Sequence, residues 1–93
     1  MPNVDRIPKV FADFHNADVQ GRLRLNCLGT IEDLARQGIE LQDGQLLTFY
    51  GDELELEGIV QYSPEENVWV AVIDWNAIRE SEVVDQEKIH ISF

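Results

Sequence analysis

Apolar residues in this chain recur at every second position, in short runs broken by glycine and polar clusters, and that period constrains the fold most. Leu23, Leu25 and Cys27 alternate with Arg22, Arg24 and Asn26. Further on, Leu54, Leu56, Val60 and Tyr62 are set against Glu53, Glu55, Glu57 and Gln61. Successive strand residues point to opposite faces, so each run reads as a strand with one dry and one wet side. That is the pattern of an antiparallel sheet packed on a single core. A third run, 68–73, is apolar throughout and reads as a central strand covered on both faces.

The remaining segments fit around these strands. Residues 1–8 carry two prolines and read as an irregular lead-in. Val10, Ala12 and Phe14 mark one face of a first strand, closed by a polar turn at 15–18. Gly29-Thr30 opens a short helix, with Thr30 as its cap and Asp33 in the reciprocal position of a capping box. Ile31, Leu34 and Ala35 share the helix face expected to pack on the sheet, and Gly38 can end it in a left-handed conformation. Ile39 and Leu41 suggest another strand, Asp43-Gly44 a turn, and residues 46–50 a further strand. Gly58 suggests a bulge or bend, and 63–67 a hairpin loop. Asp74 is placed to cap a short helical turn to Arg79. An acidic spacer, 80–87, then leads to a last alternating run, Ile89, Ile91 and Phe93.

This order predicts a mainly β fold with one short helix, as a small SH3-like half-open β-barrel. The alternative is a curved antiparallel meander sheet packed on the helix. Ninety-three residues allow one core, so a single domain spans 1–93, with its core at about 8–79. Val68, Val70 and Val72 form one face of the central strand; Trp69, Ala71 and Ile73 form the other. A single core buries only one of them. The second needs the helix, the run at 89–93 or a second copy of the chain; a monomer covered by its own run is expected, with a homodimer as the alternative.

Composition narrows function by exclusion. A hydrophobic fraction of 44% is too high for a disordered chain. No apolar run has the length of a membrane helix, and the first residues lack a signal-peptide pattern. A single cysteine forms no internal disulfide, which suits the reducing cytoplasm. The net charge of −11 repels phosphate, so neither direct nucleic-acid nor membrane binding is expected. The charge is uneven: residues 1–46 hold five bases against seven acids, and residues 47–93 hold two against eleven.

The stretches Phe11-Ala12-Asp13-Phe14, Gly21-Arg22-Leu23-Arg24-Leu25, Gly29-Thr30 and Trp69-Val70-Ala71-Val72-Ile73-Asp74-Trp75 together resemble a family of short uncharacterised bacterial proteins. The resemblance covers roughly residues 8–80. It implies a compact bacterial domain and carries no catalytic or binding residues with it.

Catalytic chemistry finds little footing. Cys27, His15 and His90 are the candidates for a nucleophile and its base, with Asp13 two residues from His15. Cys27 is in phase with Leu23 and Leu25, which predicts a buried, inert thiol. No Cys-x-x-Cys, His-x-x-x-His or calcium-loop spacing is present. Glu53, Glu55 and Glu57 share a strand face, but about 7 Å between alternate residues is too wide to converge on one ion. A loosely held divalent cation beside Asp52 is the sharper reading of that row; a solvated acidic face is the plainer one. The glycines make no phosphate-binding loop. Arg22 and Arg24 form the only basic pair on a strand, suited to neighbouring carboxylates or, less simply, to a bound anion.

Neither an enzyme nor a cofactor is therefore expected. Tyr50, Tyr62, Trp69 and Trp75 have polar tips that suit partial burial beside a groove, although core or edge cover would also explain them. With Glu53, Glu55 and Glu57 they make the expected partner-binding set. The reading is a non-enzymatic protein-interaction module whose acidic, aromatic surface takes a basic partner. The alternative is an acidic nucleic-acid mimic that inhibits a DNA- or RNA-binding protein.

Overall fold

The computed structural model describes residues 7–80. Its longest strand organises the rest. Strand β4 (Leu54–Ser63) pairs along its first six residues with β3 (Leu46–Gly51) on one side, and along its last six with β5 (Val68–Ile73) on the other. Both pairings are antiparallel. The β3–β4 connection is the two-residue turn Asp52-Glu53, both residues having positive φ, the conformation that matches strand twist in a tight hairpin. Short strands complete the sheet: β1 (Lys9–Phe11) runs parallel to β3, β2 (Leu23–Arg24) lies beside β5, and β6 (Arg79–Glu80) continues past β5 to pair with the start of β4. The order is β1-β3-β4-β5-β2, with β6 beside β4, and the ladder is open.

One stretch touches both sides of this opening. The Ala12 N–H donates to the Tyr50 carbonyl beside β3, while the Arg24 N–H donates to the Asn16 carbonyl and the Asp18 N–H to the Arg22 carbonyl beside β2. Residues 9–18 therefore run from one edge of the sheet to the other.

Period two places the core correctly. Val10, Ala12 and Phe14 are all buried, as are Leu23 and Leu25, together with Leu47, Phe49, Leu56 and Val60 from the central strands. The 3-10 turn Trp75–Ala77 is capped by Asp74, which accepts the Asn76 N–H. No helix of the described residues is long and apolar enough to cross a membrane.

Several expectations fail, each for a local reason. Helix α1 (Leu28–Gln37) begins three residues before the expected first turn, so Cys27 is its N-cap and makes no side-chain cap. Cys27 is consequently half-buried at the helix start instead of lying in the core. Thr30 sits inside the first turn and its hydroxyl donates to the Phe11 carbonyl at 2.8 Å, so it is not the cap. Gly38 does close the helix in the left-handed region, with the Ile39 N–H returning to the Leu34 carbonyl. Residues 39–45 form a loop, not a strand. Ile39 and Leu41 still pack against the core, but the Gly38 cap and the turn at Gly44 leave too little chain between them to join a ladder. Gly58 makes no bulge: its register is unbroken with Leu47 on one side and Ile73 on the other. It is glycine because a Cβ there would lie 2.7 Å from Ile73 Cγ2 and 3.1 Å from the Val72 carbonyl.

Strand β5 is central, and Val70 and Ala71 are fully buried on opposite faces, yet Val72 is 41% exposed. The acidic spacer expected from residue 80 starts instead in β6, and the run at 89–93 lies outside the described residues.

A close backbone approach lies at Gly51, at the end of β3, where a Cβ would clash with the Ala12 carbonyl oxygen just beyond β1. Backbone cannot yield as a side chain does. Gly51→Ala is therefore expected to destabilise the protein by about 1–3 kcal/mol, the usual range for overpacking. A shift of the urea midpoint would show it; an unchanged midpoint would mean that β1 and β3 do not approach this closely.

Candidate functional site

The structure keeps Glu55 and Glu57 on one face of β4 and sets Glu53 apart from them. Glu53 is in the β3–β4 turn with positive φ and is exposed. Glu55 is buried on the sheet face opposite the core, where it holds Arg79 Nη2 at 3.1 Å and Lys9 Nζ at 3.4 Å. Glu57 holds the same Arg79 nitrogen at 2.8 Å, and this contact outweighs its partial desolvation to keep its carboxyl below the usual range. Two of the three carboxylates are thus occupied by the chain's own cations.

The same holds for every Lys and Arg among the described residues. Arg22 donates to Asp18 at 2.9 Å inside a tight turn, and Arg24 grips Glu66 with two nitrogens at 2.7 and 2.9 Å. Arg36 pairs with Asp33. An anion site at Arg22 and Arg24 is therefore filled by protein carboxylates. Asp13, Glu32, Glu40, Asp43, Asp52, Glu53, Glu65 and Asp74 meet no Lys or Arg among the described residues; Asp13 and Asp52 instead flank the exposed His15 imidazole at 3.6 and 3.7 Å.

The aromatics divide into three places. Tyr50 stacks edge-on against Phe11, with ring centroids 5.9 Å apart, and donates its hydroxyl to Asp33 Oδ2 at 3.0 Å. Trp75 packs edge-on against Phe14 and donates its indole N–H to the Gly21 carbonyl at 2.9 Å. Tyr62 and Trp69 are cross-strand partners whose rings meet at 5.2 Å and 74°. Beside them Asp43 accepts the Tyr62 N–H at 3.1 Å from the turn that precedes β3, and the Tyr62 hydroxyl donates to Asn67 in the β4–β5 loop. Among the described residues, this is the place where an expected aromatic pair and an exposed carboxylate with no Lys or Arg partner come together. Sequence reasoning missed Asp43 as a site residue because only its turn-forming role is visible in Asp43-Gly44.

A second cluster surrounds Asp33, which is 3% exposed. Its Oδ2 accepts the Phe11 N–H at 2.8 Å and the Tyr50 hydroxyl, while its Oδ1 accepts Gln37 and Arg36. Burial pushes this carboxyl up, but the four donors outweigh it and hold it below its ordinary value. Tyr50 moves the other way, raised first by burial and then by its bond to Asp33. No buried side-chain nitrogen or oxygen lacks a partner among the described residues. The cluster is a hydrogen-bonded network that ties α1 to Phe11 of β1 and Tyr50 of β3.

Among the described residues, no three His, Cys, Asp or Glu side chains are grouped to hold a metal ion. Comparison with protein-family models, curated proteins and solved structures gave no match.

A carboxyl held below its unfolded value stabilises the fold above the unfolded pKa, and that contribution disappears as pH falls through the folded one. Asp18, Glu57 and Glu66 share this direction with Asp33. Asp33→Asn should destabilise the protein at neutral pH by about 1–3 kcal/mol through mismatched buried donors. It should also flatten part of the loss of stability as pH falls from about 5 into the acid range below the ordinary carboxylate pKa. Denaturant titrations of both proteins across that range check it; parallel curves would show that the Asp33 carboxyl binds protons equally in the folded and unfolded states.

Proposed function

We propose that the protein is a non-enzymatic interaction module that docks a basic protein partner at the β4–β5 hairpin end, through Tyr62, Trp69 and Asp43. The observation that carries this reading is the distribution of charge. Every described cation is bound to a carboxylate within the fold, and Asp43 beside the half-buried aromatic pair is not. An arginine or lysine of the partner would meet an aromatic face and a carboxylate together, which combines cation–π attraction with a charge-assisted hydrogen bond. Glu55, Glu57 and Tyr50 serve the fold instead, and Trp75 and Glu53 lie apart from this pair. A nucleic-acid mimic would need a regular outward row of carboxylates, and the row at Glu53, Glu55 and Glu57 is broken by a turn, a buried position and Arg79.

The SH3-like half-open barrel belongs to the same proposal. It is supported by the stretch 9–18 that spans both sheet edges and by the 3-10 turn set between β5 and β6. Residence in a bacterial cytoplasm is proposed on the family resemblance and on the single cysteine.

An arginine-rich decapeptide titrated into Trp75→Phe protein, with Trp69 emission as the signal, tests the reading. Saturable binding at low salt is expected, weakened by added salt and, roughly two- to fivefold, by Asp43→Asn, as for a rim charge. Absence of binding, indifference to Asp43→Asn, or equal binding of a glutamate-rich peptide would overturn it.

A further inference from the structure

At the β4–β5 hairpin end, β4 runs on past the start of β3, and its edge there is only half satisfied. The Val60 N–H donates to the Gln45 carbonyl and the Val60 carbonyl accepts the Gly44 N–H, both at 2.8 Å. Backbone groups of alternate strand residues point to the same side, so the N–H and carbonyl of Tyr62 face that way too. The Tyr62 N–H is taken by Asp43 Oδ1 at 3.1 Å, where one more residue of a neighbouring strand would otherwise stand. Such a residue would also return an N–H to the Tyr62 carbonyl. A carboxylate only accepts, so Asp43 cannot. Among the described residues nothing donates to that carbonyl or to Asp43 Oδ2. Two acceptors, one of them charged, thus lie side by side next to the aromatic pair.

We propose that the group docked here is the ammonium of a lysine in preference to an arginine, donating to Asp43 Oδ2 and to the Tyr62 carbonyl together; this rests on the docking reading above. One nitrogen with three donors suits two neighbouring acceptors that belong to different groups. The arginine fork is matched instead to both oxygens of one carboxylate, and Asp43 Oδ1 is already engaged by the Tyr62 N–H. The rings agree with this choice. Tyr62 and Trp69 meet at 74°, which makes a corner without two parallel faces to sandwich a planar guanidinium. A corner of that kind takes a compact ammonium and its methylene stem.

Lysine-rich and arginine-rich decapeptides of equal length and charge, titrated into Trp75→Phe protein, test the assignment. The lysine peptide is expected to bind about threefold or more tighter, the worth of one net hydrogen bond. Arginine ordinarily has the advantage at aromatic and acidic surfaces, so the expected order is the reverse of the default. Asp43→Asn keeps an acceptor for the Tyr62 N–H and brings an amide donor to the Tyr62 carbonyl, and it should abolish the preference. A trimethyl-lysine peptide keeps the charge but has no donor, and it should bind more weakly than the unmodified lysine peptide. Equal or tighter binding of arginine, a preference that survives Asp43→Asn, or trimethyl-lysine binding as tight as lysine overturns the lysine assignment and leaves docking at this end standing. Failure of every peptide to bind overturns both.

Discussion

Strand β1 is three residues long and pairs with a single neighbour, which leaves a row of backbone groups on its outer side without a ladder partner. An unsatisfied edge of this kind is unstable and invites pairing with other chains. Helix α1 closes it with side chains. Thr30 donates to the Phe11 carbonyl, Asp33 accepts the Phe11 N–H, and Gln37 donates to the Lys9 carbonyl. These three residues lie on one helical face at spacings of three and four, so one rigid element serves three edge groups at once. Gly29 permits this approach, because a Cβ there would meet the Phe11 ring at 2.8 Å. The position of α1, the Phe11–Tyr50 contact and the parallel β1–β3 pairing all follow from that closure.

The closure explains why the helix could not be oriented from sequence. An amphipathic helix is ordinarily read with its apolar face inward. Here a polar stripe turns toward the sheet edge, and Leu28 and Ile31 remain 68% and 50% exposed while Leu34 alone of the apolar group is buried. Thr30 and Asp33 were legible as residues that satisfy backbone groups near a helix start. The groups they satisfy belong to β1, nineteen and twenty-two residues earlier in the chain, and a local capping pattern cannot reveal that. Strand faces were more readable, because burial of Val10, Leu23, Leu56 and Val60 follows from alternation alone. Gly58 was legible as an exception and not as a kind of exception: steric crowding across a regular ladder and a bulge leave the same glycine in the sequence.

Charge was legible in amount and illegible in use. Period two places Glu55 and Glu57 on one strand face, as the structure confirms. It says nothing of Arg79, which reaches them because the 3-10 turn after β5 carries the chain on to β6 beside the same strand. An acidic row that looks free in sequence is thus a clamp between β4 and β6. Asp43 shows the converse. It reads as a turn residue, yet the turn before β3 lies against β4 and puts its carboxylate on the Tyr62 N–H.

The two faces of the sheet divide the remaining surface by parity. Tyr62 and Trp69 belong to the side that carries the core, at the end where β4 and β5 extend past it. Ile59 and Val72, on the same two strands, point the opposite way. A partner held at Asp43 and the aromatic pair would therefore leave the exposed row Leu46–Ile59–Val72 on the other face unoccupied. Antiparallel alternation keeps the two surfaces separate, and a one-residue slip of β5 against β4 would exchange them. The unbroken register from Gly58↔Ile73 to Ser63↔Val68 holds both surfaces in place, and the close fit of Gly58 against Ile73 and Val72 opposes such a slip.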